Sequence, residues 1–317
     1  MTMKPEISVI IISYNTSDLT VACIRSLLST VATPVEIILV DNASSDDTLQ
    51  RVRTEFPFVR VIPNVGNVGF TKANNQGFSA ALGGKIWMLN PDTLVLPHAA
   101  ERLSAALDCA DADIVAPKIL DAEGRIDNSC RYFPTLGWLA SCMLRLPKLF
   151  PKSRILNSCA LAGGSYDDDR IVDWASGASL MFRRELLDRI SGLDEKFFMY
   201  CEEVDFCWRA NNLGFKTKLI CSAEIIHYQG KSSARLRIFT HLQYKWSAFL
   251  LLKRHRSTLQ ATAFAILSCA ETVFLAAVFV ALGKASTREA RKLVWYMPKM
   301  FICQTEPKHL FGRQTAA

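Results

Sequence analysis

Ile7-Ser8-Val9-Ile10-Ile11-Ile12-Ser13-Tyr14-Asn15 decides the fold. Its first seven residues are a nearly unbroken apolar, β-branched run. A strand with one wet face alternates apolar and polar, so this run reads as a strand covered on both faces. Such a strand needs helices above and below it, and the sequence supplies them. Ser17 to about Leu28 reads as a helix with Ser17 placed to cap it, and Val35 to Val40 is a second strand of the same kind. Asp41-Asn42-Ala43-Ser44-Ser45-Asp46-Asp47 is turn chemistry leading into a short helix to about Arg53. Val59–Ile62 is a weaker third strand. The loop 64–69, rich in Asn and Gly, opens a helix to about Leu82, and Lys85–Leu89 is a fourth strand. A helix over Pro97–Leu107 and a strand at Ile114–Ala116 follow.

This alternation predicts an α/β fold, Rossmann-like, with a mostly parallel, doubly wound sheet and flanking helices. Ligands of such sheets sit beyond the carboxyl ends of the strands. Tyr14-Asn15, Asp41-Asn42 and Asn90-Pro91-Asp92 all fall there. The glycines of the 64–69 loop allow backbone to approach a ligand closely. The loop has no Gly-Lys-Ser, which disfavours a nucleotide hydrolase.

Between Asp121 and Asp169 the pattern weakens into a loop-rich insertion containing an apolar stretch, Leu136–Leu149. Regularity returns at Val172–Gly177, with a strand at Ala178–Phe182 and a helix at Glu185–Ile190. After His227 the character changes. No acidic residue lies between Glu224 and Glu271, an interval holding Lys231, Arg235, Arg237, Lys245, Lys253, Arg254 and Arg256. That block suits anionic head groups or phosphates, or is an ordinary solvated face. Leu259–Gly283 has Glu271 as its only charge, so its helix is deeply buried or lipid-facing. It is long enough to span a bilayer, but a mid-span Glu costs about 2–3 kcal/mol.

The ten cysteines show no C-x-x-C spacing, and Cys207 and Cys221 sit among apolar neighbours as core thiols, which favours a reducing compartment. Met1–Glu6 carries no apolar signal region, so secretion is not expected.

Tyr14-Asn15, Val40–Asp46, Asn67-Val68-Gly69-Phe70, Asn74-Asn75-Gln76-Gly77, Leu89–Asp92, Ser176-Gly177-Ala178, Gly192–Tyr200 and His227–Ser233 occur in the order found in family-2 glycosyltransferases, and the chain resembles their rhamnosyltransferase branch over roughly 6–235. The resemblance implies a GT-A catalytic domain at 1–235, and the basic and apolar pattern after it reads as a membrane-associating helical region at 236–317. It implies an inverting transfer from a nucleotide sugar, dTDP-rhamnose or a UDP-sugar, to a lipid-linked or other glycan acceptor. The place of action would be the cytoplasmic face of a membrane, with a peripheral or monotopic attachment and no nucleic-acid partner.

The residues fit that chemistry in particular ways. A departing diphosphate needs its charge neutralised, usually by Mg²⁺ or Mn²⁺. Asp92 suits that task, alone in Asn90-Pro91-Asp92 where the family's motif has two acids; its bland reading is a turn cap. His227 is a second metal ligand, a phosphate contact or a structural histidine. Asp41 meets the nucleotide base, with Tyr14 nearby, or only closes a turn. Asn15, Asn42, Asn67, Gly69, Asn74 and Asn90 complete the expected donor site. Glu202, Glu203 and Asp205 crowd three carboxylates near a helix start, where mutual repulsion raises the pKa of a general base. Glu202, Asp205 and Arg209 share one helix face, so Asp205–Arg209 is a candidate ion pair, while Glu203 points about 100° away. The family's base is the second acid of its Glu-Asp pair, which places the role on Glu203 with Asp205 as the alternative. Two rivals remain. A processive synthase needs several spanning helices and Gln-x-x-Arg-Trp, which Gln243-Tyr244-Lys245-Trp246 does not match; a silent sugar-nucleotide-binding subunit could dispense with the base.

Overall fold

The computed structural model describes residues 5–109, 111–150, 166–228, 237–281 and 287–311, with Ser153, Leu156 and Cys159. In chain order the elements begin β1 (Ile7–Ser13), α1 (Ser17–Thr30), β2 (Val35–Asp41), α2 (Thr48–Glu55), β3 (Arg60–Pro63), α3 (Phe70–Ala80) and β4 (Lys85–Leu89). Then come β5 (Thr93–Val95), α4 (Ala99–Asp108), β6 (Ile114–Leu120), β7 (Cys130–Arg131), α5 (Leu136–Met143) and α6 (Leu146–Leu149). β8 (Arg170–Val172), β9 (Trp174–Ala175), β10 (Ser179–Arg183), α7 (Glu185–Ile190), α8 (Glu202–Asn212) and β11 (Thr217–His227) follow. Four helices end the chain: α9 (Arg237–His255), α10 (Thr258–Ala281), α11 (Thr287–Ile302) and α12 (Pro307–Phe311).

The chain divides into two compact units. The first comprises Met1–Phe133, Ala160–Phe198 and Glu202–Ser232. Its sheet runs β3-β2-β1-β4-β10-β6-β11-β5, with β8 beside β11. β1 is covered on both faces, as its sequence demands. Ile10 and Ile12 join Ile38, Val40, Phe78 and Phe206 on one side. Ile7, Val9 and Ile11 join Ile37, Leu39 and Leu103 on the other. Full burial of each such side chain contributes about 1.5–3 kcal/mol.

The sheet is mixed, with six of its nine strands running one way and β5, β8 and β10 running against them. β3, β2, β1 and β4 are parallel, as are β6 and β11, but β10 runs against both β4 and β6. β5 and β8 run against β11. The cause is the excursion after β6. After Leu120 the chain re-enters the sheet at β8, beside β11, and then begins β10 at the edge where β4 and β6 end, so β10 runs against both. Neither β5 nor β11 stands out in the sequence, because β5 has three residues and β11 is interrupted by a register shift between Ile220 and Glu224. Ser17 is not the cap of α1: Thr16 precedes it, and its carbonyl receives the Thr20 N–H.

The second unit comprises Pro134–Cys159, Met199–Cys201 and Ser233–Ala317. The apolar stretch after Leu136 is therefore helical, α5 and α6, and α5 packs on α10. α9, α10 and α11 pack on one another. Lys245 of α9 and Glu271 of α10 are joined at 2.5 Å, both well buried. The basic block is accordingly not one charged face. Lys245 is consumed inside the unit, Arg256 reaches the Pro134 carbonyl, and Lys231 and Arg235 lie outside the described residues, as does the side chain of Arg237. All ten cysteines are free, and burial pushes Cys207 up to about 12.

Gly77 of α3 faces Ile10 so closely that an added Cβ would lie 2.3 Å from its Cγ2. Helix propensity favours alanine over glycine by about 1 kcal/mol, while overpacking a core costs about 1–3 kcal/mol. Gly77→Ala is therefore expected to lower stability by about 1–2 kcal/mol in urea unfolding; an increase would show that α3 has room to move from β1.

Candidate active site

The loops after β1, β2 and β4, the turn before β10 and the end of β11 share one edge of the sheet. Pairing of His227 with Thr93 across β11 and β5 carries the histidine to Asp92. His227 Nε2 lies 3.2 Å from Asp92 Oδ1, without hydrogen-bond alignment. Asp92 Oδ1, His227 Nδ1 and Asn90 Oδ1 are buried and have no hydrogen-bond partner among the described residues. Backbone bonds hold the group in place: Tyr228 N–H donates to the Asp92 carbonyl, and Asn90 N–H to the Ala178 carbonyl, each at 2.9 Å. Unsatisfied buried acceptors are costly, and a divalent cation would satisfy them. No cluster of three or more His, Cys, Asp or Glu forms a complete metal cage among the described residues. Two protein ligands suit an ion that takes its remaining oxygens from phosphate and water.

Asp41 is fully buried at the end of β2. Its Oδ1 accepts from the Ser13 hydroxyl at 2.8 Å and the Ser44 hydroxyl at 2.5 Å, and its Oδ2 from the Ser44 N–H at 2.9 Å. Asp41 thus closes its own turn. A carboxylate oxygen accepts twice, which leaves one position on Oδ2. Asn15, in the left-handed region with φ 54°, donates its N–H to Ser44 Oγ and accepts the Ser45 N–H. The Tyr14 hydroxyl is buried without a partner among the described residues.

Asn42 donates to the Gly69 carbonyl and accepts from Asn64, whose amide pairs reciprocally with Gln76. Asn67 closes a turn onto the Gly69 N–H, and Asn74 bonds back to the Phe70 carbonyl inside α3. These amides stiffen the cleft wall. At Gly69 the chain itself requires glycine. There φ is +91°, and an added Cβ would meet the Phe198 carbonyl and ring at 2.6 Å, so the freedom serves chain packing.

α8 sorts its three acids by environment. Asp205 is buried and holds Arg209 Nε at 2.7 Å; the guanidinium also reaches the Ile190 and Gly192 carbonyls. It is a structural ion pair, which leaves Asp205 poorly suited as the alternative base. Glu202 and Glu203 each keep an Oε2 that is buried and without a hydrogen-bond partner among the described residues. Burial pushes Glu202 well above the usual range, and the neighbouring Glu203 charge adds to it. Burial raises Glu203 to about 7, against the Glu203 and Val204 backbone N–H groups that favour its charged form. Gly177 lies beside it, where an added Cβ would stand 3.4 Å from the Glu203 Cβ. Tyr200 and Cys201, just before α8, both hold φ near +65° (69° and 64°), a strained arrangement of the kind that clusters at functional sites.

Residues 8–151 match the model of Glycosyl transferase family 2. An N-acetylglucosaminyl-diphospho-decaprenol L-rhamnosyltransferase of Mycobacterium tuberculosis is 28% identical over 250 residues, 74% of this chain and 79% of that one. By these likenesses the chain is a glycosyltransferase, similar to family 2 over residues 8–151. The enzyme is also 28% identical to the low-salt glycan biosynthesis hexosyltransferase Agl10 of Haloferax volcanii, over 74% of this chain and 71% of that one. Rhamnosyltransferase WbbL of Escherichia coli is 30% identical over 43% of this chain and 48% of its own. The crystal structure of GalNAc-T7 with UDP, GalNAc and Mn²⁺ superposes with a TM-score of 0.55 at 15% identity. It covers 78% of this chain, which spans about half of that enzyme's length (48%), and shows the GT-A fold.

Sequence reasoning missed several supports of this glycosyltransferase's site. Asn75 brackets Leu193 by donating to its carbonyl and accepting its N–H, both at 3.0 Å. Ser13 sits opposite Asp41 in the parallel register. Asn75 stands within a quoted motif, but only the fold brings residue 193 to it.

The raised acids link stability to pH. A carboxyl whose folded pKa exceeds its unfolded value binds more protons in the folded state, so it favours folding at low pH and loses that advantage as pH rises. Glu203 moves from 4.5 to about 7. Stability of the ligand-free enzyme is therefore expected to fall between about pH 4.5 and pH 7, and Glu203→Gln should flatten that slope in urea titrations at each pH. An unchanged slope in the variant would place the protons elsewhere.

Proposed function

We propose that the enzyme transfers L-rhamnose from dTDP-rhamnose, with inversion, to a lipid-linked glycan acceptor at the cytoplasmic face of a membrane. The observation that carries the reading is the desolvated Glu203 carboxyl, standing on the sheet edge that also holds Asp92 and His227. The sugar and acceptor class follow the relatives: one is named for rhamnose transfer to a diphospho-decaprenol-linked sugar, another as a rhamnosyltransferase.

Glu203 removes the proton of the acceptor hydroxyl as that oxygen forms its bond to the anomeric carbon. The bond from that carbon to the diphosphate breaks, and its electron pair leaves with the nucleoside diphosphate. A base of pKa about 7 is ionised in half of the molecules at neutral pH and still accepts a proton readily. Burial and the neighbouring Glu203 charge push Glu202 up as well, which favours its protonated form beside the base. Asp92 and His227 would hold a divalent cation, with the Asn90 side-chain oxygen in the same loop. Bound there, that cation would neutralise charge on the departing diphosphate. Asp41, through its remaining Oδ2 position, meets the nucleotide base, and Tyr14 lines the same edge.

Glu203→Gln is expected to lower kcat by about 10²–10⁴-fold with donor affinity nearly unchanged. In the wild type, kcat/KM should rise with pH through about 7. An active Glu203→Gln alongside a folded, dead Asp205→Asn would exchange their roles. Asp92→Asn should abolish transfer in a folded protein, and activity should require Mg²⁺ or Mn²⁺; full activity in excess EDTA would remove the metal from the reading. Against a panel of dTDP-rhamnose, UDP-galactofuranose and UDP-N-acetylglucosamine, only the first should support turnover.

A further inference from the structure

We infer that α10 and α11 form a docking surface for an anionic phospholipid bilayer, lying in its plane rather than crossing it. The inference rests on the proposed membrane-bound acceptor only for its purpose; the surface itself is read from the helices.

α10 has two unlike faces. One faces the unit, with Phe264, Ser268, Thr272 and Ala276 buried and Glu271 joined to Lys245. The other carries Leu259, Ile266, Leu267, Val273 and Phe274, all more than 40% exposed and none charged. At 1.5 Å per residue that stripe is about 22 Å long. A soluble surface rarely leaves so long an apolar run uncovered. Thr258–Val278 is long and apolar enough to cross a membrane, but only one of its faces is free for lipid. The Glu271–Lys245 pair lies on the other, tying the helix to α9.

α11 identifies the occupant. Its exposed stripe is Arg288, Arg291, Lys292, Trp295, Lys299 and Ile302, while Met297 and Met300 are fully buried. Basic residues interleaved with an exposed tryptophan (68%) are the profile of a helix at the head-group level, where the indole sits at the boundary and the cations meet lipid phosphate. Arg288, Arg291, Lys292 and Trp295 also line a groove of about 910 Å³ whose other wall is Val273, Ala277 and Val280 of α10. One groove thus offers cations beside an apolar wall, complementary to a phosphate joined to an acyl chain. A second protein copy would have to bring its own acids to this basic rim; an anionic bilayer brings them uniformly.

The test uses the full chain and vesicles of phosphatidylcholine with or without phosphatidylglycerol, with no sugar donor present. Sedimentation is expected with the anionic vesicles and to weaken steeply with salt. Replacing Arg288, Arg291 and Lys292 together by Gln should weaken binding on the order of 100-fold, each charge near the surface counting for about fivefold. Phe274→Ser should weaken it on neutral and anionic vesicles alike. Equal binding by the triple variant, or a wild type left in the supernatant at low salt, would overturn the inference. So would a dimer in light scattering that Phe274→Ser abolishes, since a second copy would then own the face. Retention in alkaline carbonate would overturn the in-plane pose. Transfer to a detergent-solubilised acceptor is measured separately: docking lost with transfer kept removes only this surface, and docking kept with transfer absent removes only the proposed reaction.

Discussion

The turn Ser176-Gly177-Ala178 enters β10 at the edge where β4 and β6 end, and the geometry of the candidate site depends on that entry. It forces β10 to run backwards between two parallel strands. In the same turn, the Ala178 carbonyl holds the Asn90 N–H and Gly177 leaves space against Glu203. The Asn90–Asp92 loop at the end of β4 and Glu203 at the start of α8 are thereby set around one turn. Had the chain entered β10 from the opposite edge, β10 would be parallel and the two groups would lie at opposite ends of the strands.

Environment then assigns different work to the same chemical group. Asp205 is neutralised by Arg209, Asp41 is nearly saturated by serine donors, and Asp92 stands against His227 with an acceptor left over. Glu202 and Glu203 have burial without a cation, so desolvation raises both. That separation of carboxyl pKa values by surroundings is how one site keeps an acid and a base at neutral pH. The desolvation is destabilising for the ionised fold, as unsatisfied buried groups are, and the strained Tyr200-Cys201 backbone just before α8 adds to it.

Within the helical unit the same rule is applied to the opposite end. Glu271 would be expensive in lipid, but Lys245 meets it inside the bundle, so the exposed stripe of α10 carries no charge.

The amino-acid sequence determined the α/β class and the strands β1, β2 and β4, because continuous β-branched runs can only be satisfied between two covering layers. It also placed Asn15, Asp41 and Asp92 on the ligand edge, since residues that end parallel strands must lie there. It marked Glu203 through helix periodicity and family resemblance. Tertiary structure alone decided the antiparallel β10, the short β5 that carries Asp92 to His227, the capture of residue 193 by Asn75, and the pairing of Lys245 with Glu271. Each of these joins residues far apart in the chain, and no local periodicity records a partner. Desolvation was undecidable in the same way: Glu203 and Asp205 are two positions apart in one helix, and only the groups packed around them make one a candidate base and the other half of an ion pair.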